Sequence, residues 1–290
     1  MFCNRRYRDI LAHLVTHLWR MAFASVRWLA SPTQTWNSAG GQRVLVIAPH
    51  PDDEVCGCAG VIALHRQAGD EVSVACITDG RLSRALNLTP SVMAERRHAE
   101  FDSAASVLGV THSLWVGLPE GNWSSAQLSP VLRDLFITYA PDICYAPSRV
   151  DFHPEHWQVA EALAQTLPAE LTLRIYPVQV PLLFGLVNLV ADVSNQRTVI
   201  ETAFAHYLTQ ANSIACALRQ RRYAAAWYHR PVYAETFWEL SAPTYRHWHA
   251  PQTWSKRAVF RGMRPRPWSD PLAYLRDHAQ KRTLARIVKS

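Results

Sequence analysis

The segment VLVIAPHPDDE, residues 44–54, constrains this chain more than any other. Its first five residues are apolar, three of them β-branched, and read as a short buried strand. The strand runs straight into His50, Asp52, Asp53 and Glu54. Three carboxylates at the margin of a core repel one another and resist leaving water. The fold must therefore bring this strand end to a place where a positive charge sits among them.

An alternating pattern follows. Strands are predicted at 43–49, 71–77, 113–116 and 142–146, with a further extended segment at 171–180. Helices are predicted at 57–68, 90–108, 126–139 and 155–166, and a long one at 196–221. Thr89, Pro90 and Gly109 mark the cap, first turn and end of the second helix. Strands separated by helices form βαβ units. The expected class is α/β, with a mainly parallel sheet, helices on both faces and an additional N-terminal amphipathic helix. Ligands of such sheets bind beyond the carboxyl ends of the strands, which is where residues 50–54 fall.

Charge divides the chain differently. Residues 1–30 carry five Arg and one Asp, and residues 251–290 carry ten Lys or Arg and two Asp. With +7 overall, residues 31–250 stand at −5. Basic ends suit anionic partners or are simply solvated. On a helical wheel, Leu11, Leu14, Leu18 and Trp19 share a broad apolar face, preceded by Arg5, Arg6 and Arg8. That pattern predicts a helix over 8–30, either lying on an anionic membrane surface or docking its apolar face on the body. The polar segment 31–42 reads as a linker. The expected organisation is 1–42 as helix and linker, 43–240 as the main domain, and 241–290 as a basic, Trp-containing extension. No uninterrupted apolar run reaches 18 residues, so no ordinary membrane span is expected. Six scattered cysteines match no zinc-finger spacing and suit free thiols in a reducing compartment, with Cys56 and Cys58 as small packing residues. A cytoplasmic protein, peripherally associated with a membrane or not, is the expected setting.

A first βα turn invites comparison with dinucleotide sites. Such a site needs a glycine-rich turn open to a pyrophosphate. Here the turn carries carboxylates, and Gly57 and Gly60 do not complete G-x-G-x-x-G. A metal cation answers better. Zinc hydrolases use three protein ligands, commonly His and carboxylate, and keep one position open. Further ligands should come from another strand end, and VDFHPEHWQ (150–158) follows the fourth strand with His153 and His156. Residues three apart in a first helical turn face the same way, so one imidazole would bind the metal and the other would face the reacting group.

APHPDDE (48–54) with DFHPEHW (151–157) resembles the PIG-L/LmbE-type N-acetylglucosaminyl deacetylases. ITDG (77–80), RRHAEFDSAASVLGV (96–110), ADVS (191–194), HYLTQ (206–210) and YAETF (233–237) continue the likeness over about residues 43–238. The resemblance implies a Rossmann-like fold, a divalent metal, Zn2+ or another such as Fe2+, and hydrolysis of an N-acetyl group from an amino sugar. Carried over by position, it implies His50, Asp53 and His156 as metal ligands, Asp52 as general base, and His153 as oxyanion stabiliser and aid to the leaving amine. Glu54 is expected either to support the ligands or to sit near a helix N-terminus, where a carboxylate is favoured. Thiol-sugar branches of the family have tyrosine where this chain has Asp151, which makes their substrates less suited to this chain. Asp151 either orients a histidine or caps a loop. Arg97 and Glu100 either line the sugar pocket or form a local ion pair. The expected function is removal of N-acetyl from a glycolipid, a lipid-linked glycan precursor or a sugar conjugate. The alternatives are an amidase of larger sugar–amide conjugates and a non-catalytic sugar binder. No nucleic-acid-reading motif is present, so nucleic acid is not an expected partner.

Overall fold

The computed structural model describes residues 3–24, 33–148, 151, 153–179, 181–182 and 186–249, with side chains from residue 14 to 248. After α1 (Cys3–Ala24) and a two-residue β1 (Gln34–Thr35) come β2 (Arg43–Ala48), α2 (Asp53–Ala68), β3 (Glu71–Thr78), α3 (Pro90–Leu108) and β4 (His112–Leu118). Then follow α4 (Ser125–Tyr139), β5 (Ile143–Pro147), α5 (Pro154–Thr166), β6 (Thr172–Tyr176), β7 (Leu189–Asp192), α6 (Arg197–Ala205), α7 (Ala211–Tyr228), β8 (Ala234–Ser241) and α8 (Ala242–His249).

The strands form one sheet in the order β1-β7-β8-β6-β5-β2-β3-β4. It is mainly parallel, and β8 runs antiparallel to both β6 and β7. Each face is covered. Leu128, Leu132 and Phe136 of α4, with Val159 and Leu163 of α5, pack one side. Val55, Ala59 and Ile62 of α2, with Phe101 of α3 and Ile200 of α6, pack the other. Helix α2 lies close to the sheet because two of its residues lack side chains. A Cβ on Gly57 would stand 2.1 Å from Tyr176, and one on Gly60 2.5 Å from Val193. These glycines serve packing rather than phosphate binding.

Several elements differ from the sequence expectation. The helix expected over 196–221 is two helices, α6 and α7, separated by a 3-10 turn at Leu208–Gln210. The extended segment 171–180 ends as a strand at Tyr176, and the broken apolar window beyond it supplies β7. The segment read as a linker contributes β1, which pairs with β7. Thr89 stands at the α3 N-cap without a side-chain cap bond, whereas Gly109 closes the helix at φ 71° as expected. The part of the extension beyond residue 249 lies outside the described residues.

The N-terminal helix resolves the two expectations by dividing its apolar residues. Trp19 and Phe23 are buried against Tyr223 and Trp227 of α7, while Leu14, Leu18 and Met21 stay exposed. Burying side chains of this size contributes about 1.5–3 kcal/mol each. Docking therefore claims one stripe and leaves another on the surface. Residues 25–30, also expected to be helical, lie outside the described residues, as does the side chain of Leu11.

Candidate active site

From β2 the sheet grows outward through β3 to β4, and the chain then returns to place β5 on the other side of β2. The reversal falls between β2 and β5, and open α/β sheets bind ligands in the crevice at such a point. His50 to Glu54 leave β2, and Asp151 to His156 leave β5. Topology alone therefore brings the two motifs together.

Three ligand atoms meet there. His50 Nδ1 lies 3.2 Å from Asp53 Oδ2 and 3.2 Å from His156 Nε2, and the last two are 3.1 Å apart. The outer ring nitrogens also face carboxylates: His50 Nε2 is 2.7 Å from Glu155 Oε2, and His156 Nδ1 is 3.3 Å from Asp151 Oδ2. With a cation on the inner side, each neutral imidazole would carry its proton on the outer nitrogen. The inner nitrogens are then lone pairs, aimed at each other and at the carboxylate of Asp53. Such a triangle repels itself unless it holds a cation. Its edges are close to the roughly 3.3 Å separating tetrahedral ligands at 2.0–2.1 Å from zinc.

The electrostatics agree. Burial opposes charge on His50, yet the carboxylates of Asp53 and Glu155 hold its pKa up at about 9. Burial likewise opposes protonation of His156, but Asp53 and Asp151 raise it well above the usual histidine range. Burial would raise the Asp53 carboxyl, and the two imidazoles instead hold it far below the carboxylate range. The cluster draws positive charge, and a divalent cation would displace the protons. His50, His153 and His156 also have ring nitrogens within 4.8 Å of one another, as do ligand atoms of His50, Glu120, His153 and Glu155. The tighter triangle with Asp53 fits a small cation better.

Asp52 occupies strained backbone, φ 129°, where a residue with a Cβ pays about 1–3 kcal/mol. The strain aims neighbouring carboxylates in different directions, Asp53 at the imidazoles and Asp52 at Arg97. The Asp52 N–H donates to Glu54 Oε2 at 3.1 Å, and Arg97 Nη2 donates to Asp52 Oδ1 at 3.2 Å. Burial raises the Asp52 carboxyl to about 6, against the pull of Arg97. Glu54 is fully buried, accepts the Tyr207 hydroxyl proton and is pushed by burial to about 8. Its two oxygens tie the Asp52 backbone to Tyr207.

His153 is the N-cap of α5. Its Nδ1 accepts from the Glu155 N–H at 3.4 Å, which leaves the proton on Nε2. Burial first, then the neighbouring imidazoles, depress its pKa to about 4. Asp151 sits between the second histidine and the loop backbone. It faces His156 and also accepts from the backbone N–H groups of His153 and Gln179. Arg97 lines the cavity. Glu100 is absent from the cavity wall: it accepts from Arg96 and from Thr209, whose hydroxyl also receives Arg97 Nη1. The local ion pair of Glu100 is thus with Arg96, and Thr209 bridges it to Arg97.

Sequence reasoning missed Glu155. It sits between the two histidines of its motif, and its carboxylate links His50 to the Gly121 N–H and the Trp123 indole. Burial opposes its ionisation, but these donors hold it down at about 2. An acid in the first turn of a helix, flanked by two site histidines, was the available signal. The cavity above the cluster measures about 610 Å3, within the range of small-molecule sites. His50, Asp52, Asp53, His153 and His156 all line it.

Comparison with known proteins agrees with this geometry. The "Probable N-acetyl-alpha-D-glucosaminyl L-malate deacetylase 2" of Bacillus subtilis is 29% identical over 137 residues, 43% of this chain and 61% of that protein. The chain thus spans about three-fifths of that relative's length. The conserved protein TT1542 of Thermus thermophilus superposes with a TM-score of 0.56 at 26% identity, over 68% of this chain and 93% of that one. The N,N'-diacetylchitobiose deacetylase of Pyrococcus horikoshii shares the fold, with a TM-score of 0.59 at 22% identity, over 70% of this chain and 85% of that one. Over residues 45–167, the stretch from β2 to the end of α5 that carries both histidine motifs, the chain matches the family PIG-L, GlcNAc-PI de-N-acetylase.

Proposed function

We propose that this protein is a metal-dependent hydrolase that removes the N-acetyl group from an amino-sugar conjugate. The observation that carries the reading is the triangle of His50 Nδ1, Asp53 Oδ2 and His156 Nε2 on the cavity wall, with Asp52 and His153 beside it. His50, Asp53 and His156 are the ligands, and the two-imidazole, one-carboxylate set suits zinc. A cation held by these three residues would supply Lewis acidity toward the acetyl carbonyl and the attacking water. Asp52 removes the proton from the attacking water, a task for which a carboxylate near 6 is suited. It then carries that proton to the departing amine. His153, neutral at pH 7, donates its Nε2–H to the oxyanion rather than acting as a proton source. Arg97 holds Asp52 in place and offers the cavity a guanidinium edge. Glu155 and Asp151 fix the tautomers of the two ligand imidazoles.

The same proposal places the substrate on a lipid or at a membrane surface. Leu14, Leu18 and Met21 on α1 are exposed, and so is Leu82 on the cavity wall, where the Gln210 amide donates to Ser83. No described helix is long and apolar enough to cross a membrane, and the attachment proposed is peripheral. This reading favours a glycolipid or lipid-linked sugar over a wholly soluble one.

Incubating the zinc- or iron-loaded protein with N-acetylated sugars and glycolipids and measuring acetate tests the reaction. Acetate release from an N-acetylglucosaminyl conjugate is expected, and its absence from every such substrate would overturn the proposal. For the membrane, removing residues 1–30 should reduce co-sedimentation with anionic vesicles severalfold while acetate release from a soluble substrate persists. Unchanged sedimentation would remove α1 from the reading.

A further inference from the structure

The walls of the active-site cavity differ in charge. Asp52, Asp53 and Glu120 lie on the metal-binding side. The opposite contribution comes from α7, where Asn212, Cys216 and Arg219 recur at i, i+4 and i+7 and so share one helix face. No carboxylate on α7 lines the cavity.

Arg219 stands apart from the other buried or half-buried arginines near it. Arg97 pairs with Asp52, Arg221 with Glu235 and Arg174 with Glu239. Arg219 is half-buried in the cavity wall and has no hydrogen bond or ion pair among the described residues. A guanidinium withdrawn from water without an acceptor is costly, and its fork of donors matches phosphate and carboxylate geometry. The wall that offers this cation belongs to α7, beyond residues 45–167, the stretch that the family model matches.

We propose that Arg219 binds an anionic group, phosphate or carboxylate, carried by the substrate beyond its acetylated sugar, so that the enzyme prefers anionic conjugates to neutral glycosides. The inference rests on the deacetylase reading and narrows it. An anion held by Arg219 on α7 leaves the acetamido group directed to His50, Asp53 and His156, which line the same cavity. Ser213 and Asn212 add neutral polar groups on the same wall.

The test compares three substrates: N-acetylglucosamine 1-phosphate, an N-acetylglucosaminide of glycolic acid, and the methyl glycoside. The zinc-loaded wild-type protein should show at least tenfold higher kcat/KM for one or both anionic substrates than for the methyl glycoside, chiefly through KM. In Arg219→Gln the ratio should fall to within about threefold of unity, and Arg219→Lys should retain part of it. The phosphate and carboxylate arms identify which anion is selected. A wild-type ratio near unity, or a ratio unaltered in a folded Arg219→Gln protein, would overturn the inference. If none of the three releases acetate, the deacetylase reading fails, and calorimetric binding of the same compounds still decides the role of Arg219. Anion-selective binding lost in Arg219→Gln would then support it, and binding blind to the anion would refute it.

Discussion

Helix α2 has a histidine–carboxylate cluster at each end, and the two differ in where their protons go. At the C-terminal end His65 Nδ1 lies 2.5 Å from Asp70 Oδ2, and its Nε2 lies 2.9 Å from the Tyr145 hydroxyl. That hydroxyl accepts from Trp36 Nε1 and Arg174 Nη1, which turns its own proton toward His65. Asp70 accepts in addition from Ser38 and the Gln42 N–H. Each of these contacts has a donor and an acceptor, and nothing opens on the cavity. At the N-terminal end the outer nitrogens of His50 and His156 face carboxylates, and the inner lone pairs face one another and Asp53. Similar residue types make a structural joint where protons and lone pairs are matched within the protein, and the proposed metal site where they are not.

The largest break in this contrast comes from the open cluster. Asp53→Ala should abolish stoichiometric zinc and acetate release together, measured by elemental analysis and turnover. Asp52→Asn should keep the zinc and lose about 10²-fold or more in kcat, the usual scale of general base catalysis. Full activity in Asp52→Asn would remove Asp52 from the role of base. Loss of metal in both variants would mean that the two adjacent carboxylates are not separate in function.

Breaking the closed cluster has a smaller effect and a different kind. His65→Leu leaves buried acceptors short of a donor and should cost about 1–3 kcal/mol in urea unfolding at pH 7, with zinc content unchanged. The pH dependence sharpens this. Burial depresses His65 to about 4, below its ordinary value of 6.5, with Arg174 adding to the effect. Between these values the unfolded chain binds the extra proton, so the contribution of neutral His65 is complete above pH 6.5 and is lost as pH falls toward 4. The stability gap between wild type and His65→Leu should therefore narrow over that window. A gap that stays constant from pH 7 to 4 would show that His65 does not titrate as its burial demands.

Much of the site was readable before folding. His50, Asp52, Asp53, Glu54, His153 and His156 lie in two short motifs at strand ends, and βα periodicity placed those ends on one side of a parallel sheet. Cys56 and Cys58, expected to pack, are buried free thiols. Glu155 escaped because an acid in a first helical turn has an ordinary reason to be there. Tyr207 and Thr209 escaped because an unbroken helix was expected where the chain turns. That turn lets Tyr207 reach Glu54 and Thr209 reach Glu100. The fate of α1 was also undecided, since one amphipathic face can meet lipid or protein.

Sequence by itself determined the four βα units from β2 to α5, the clustering of acids and histidines at two strand ends, and the need for a cation among them. These follow from local periodicity and from the cost of crowding like charges, both of which are written in short segments. Only the tertiary structure decided the antiparallel insertion of β8 between β6 and β7, the docking of Trp19 and Phe23 on α7, and the tautomers imposed by Glu155 and Asp151. It likewise placed Arg219 on the cavity wall. Each of these joins residues far apart in the chain, and a non-local pairing leaves no periodic mark in the sequence that makes it.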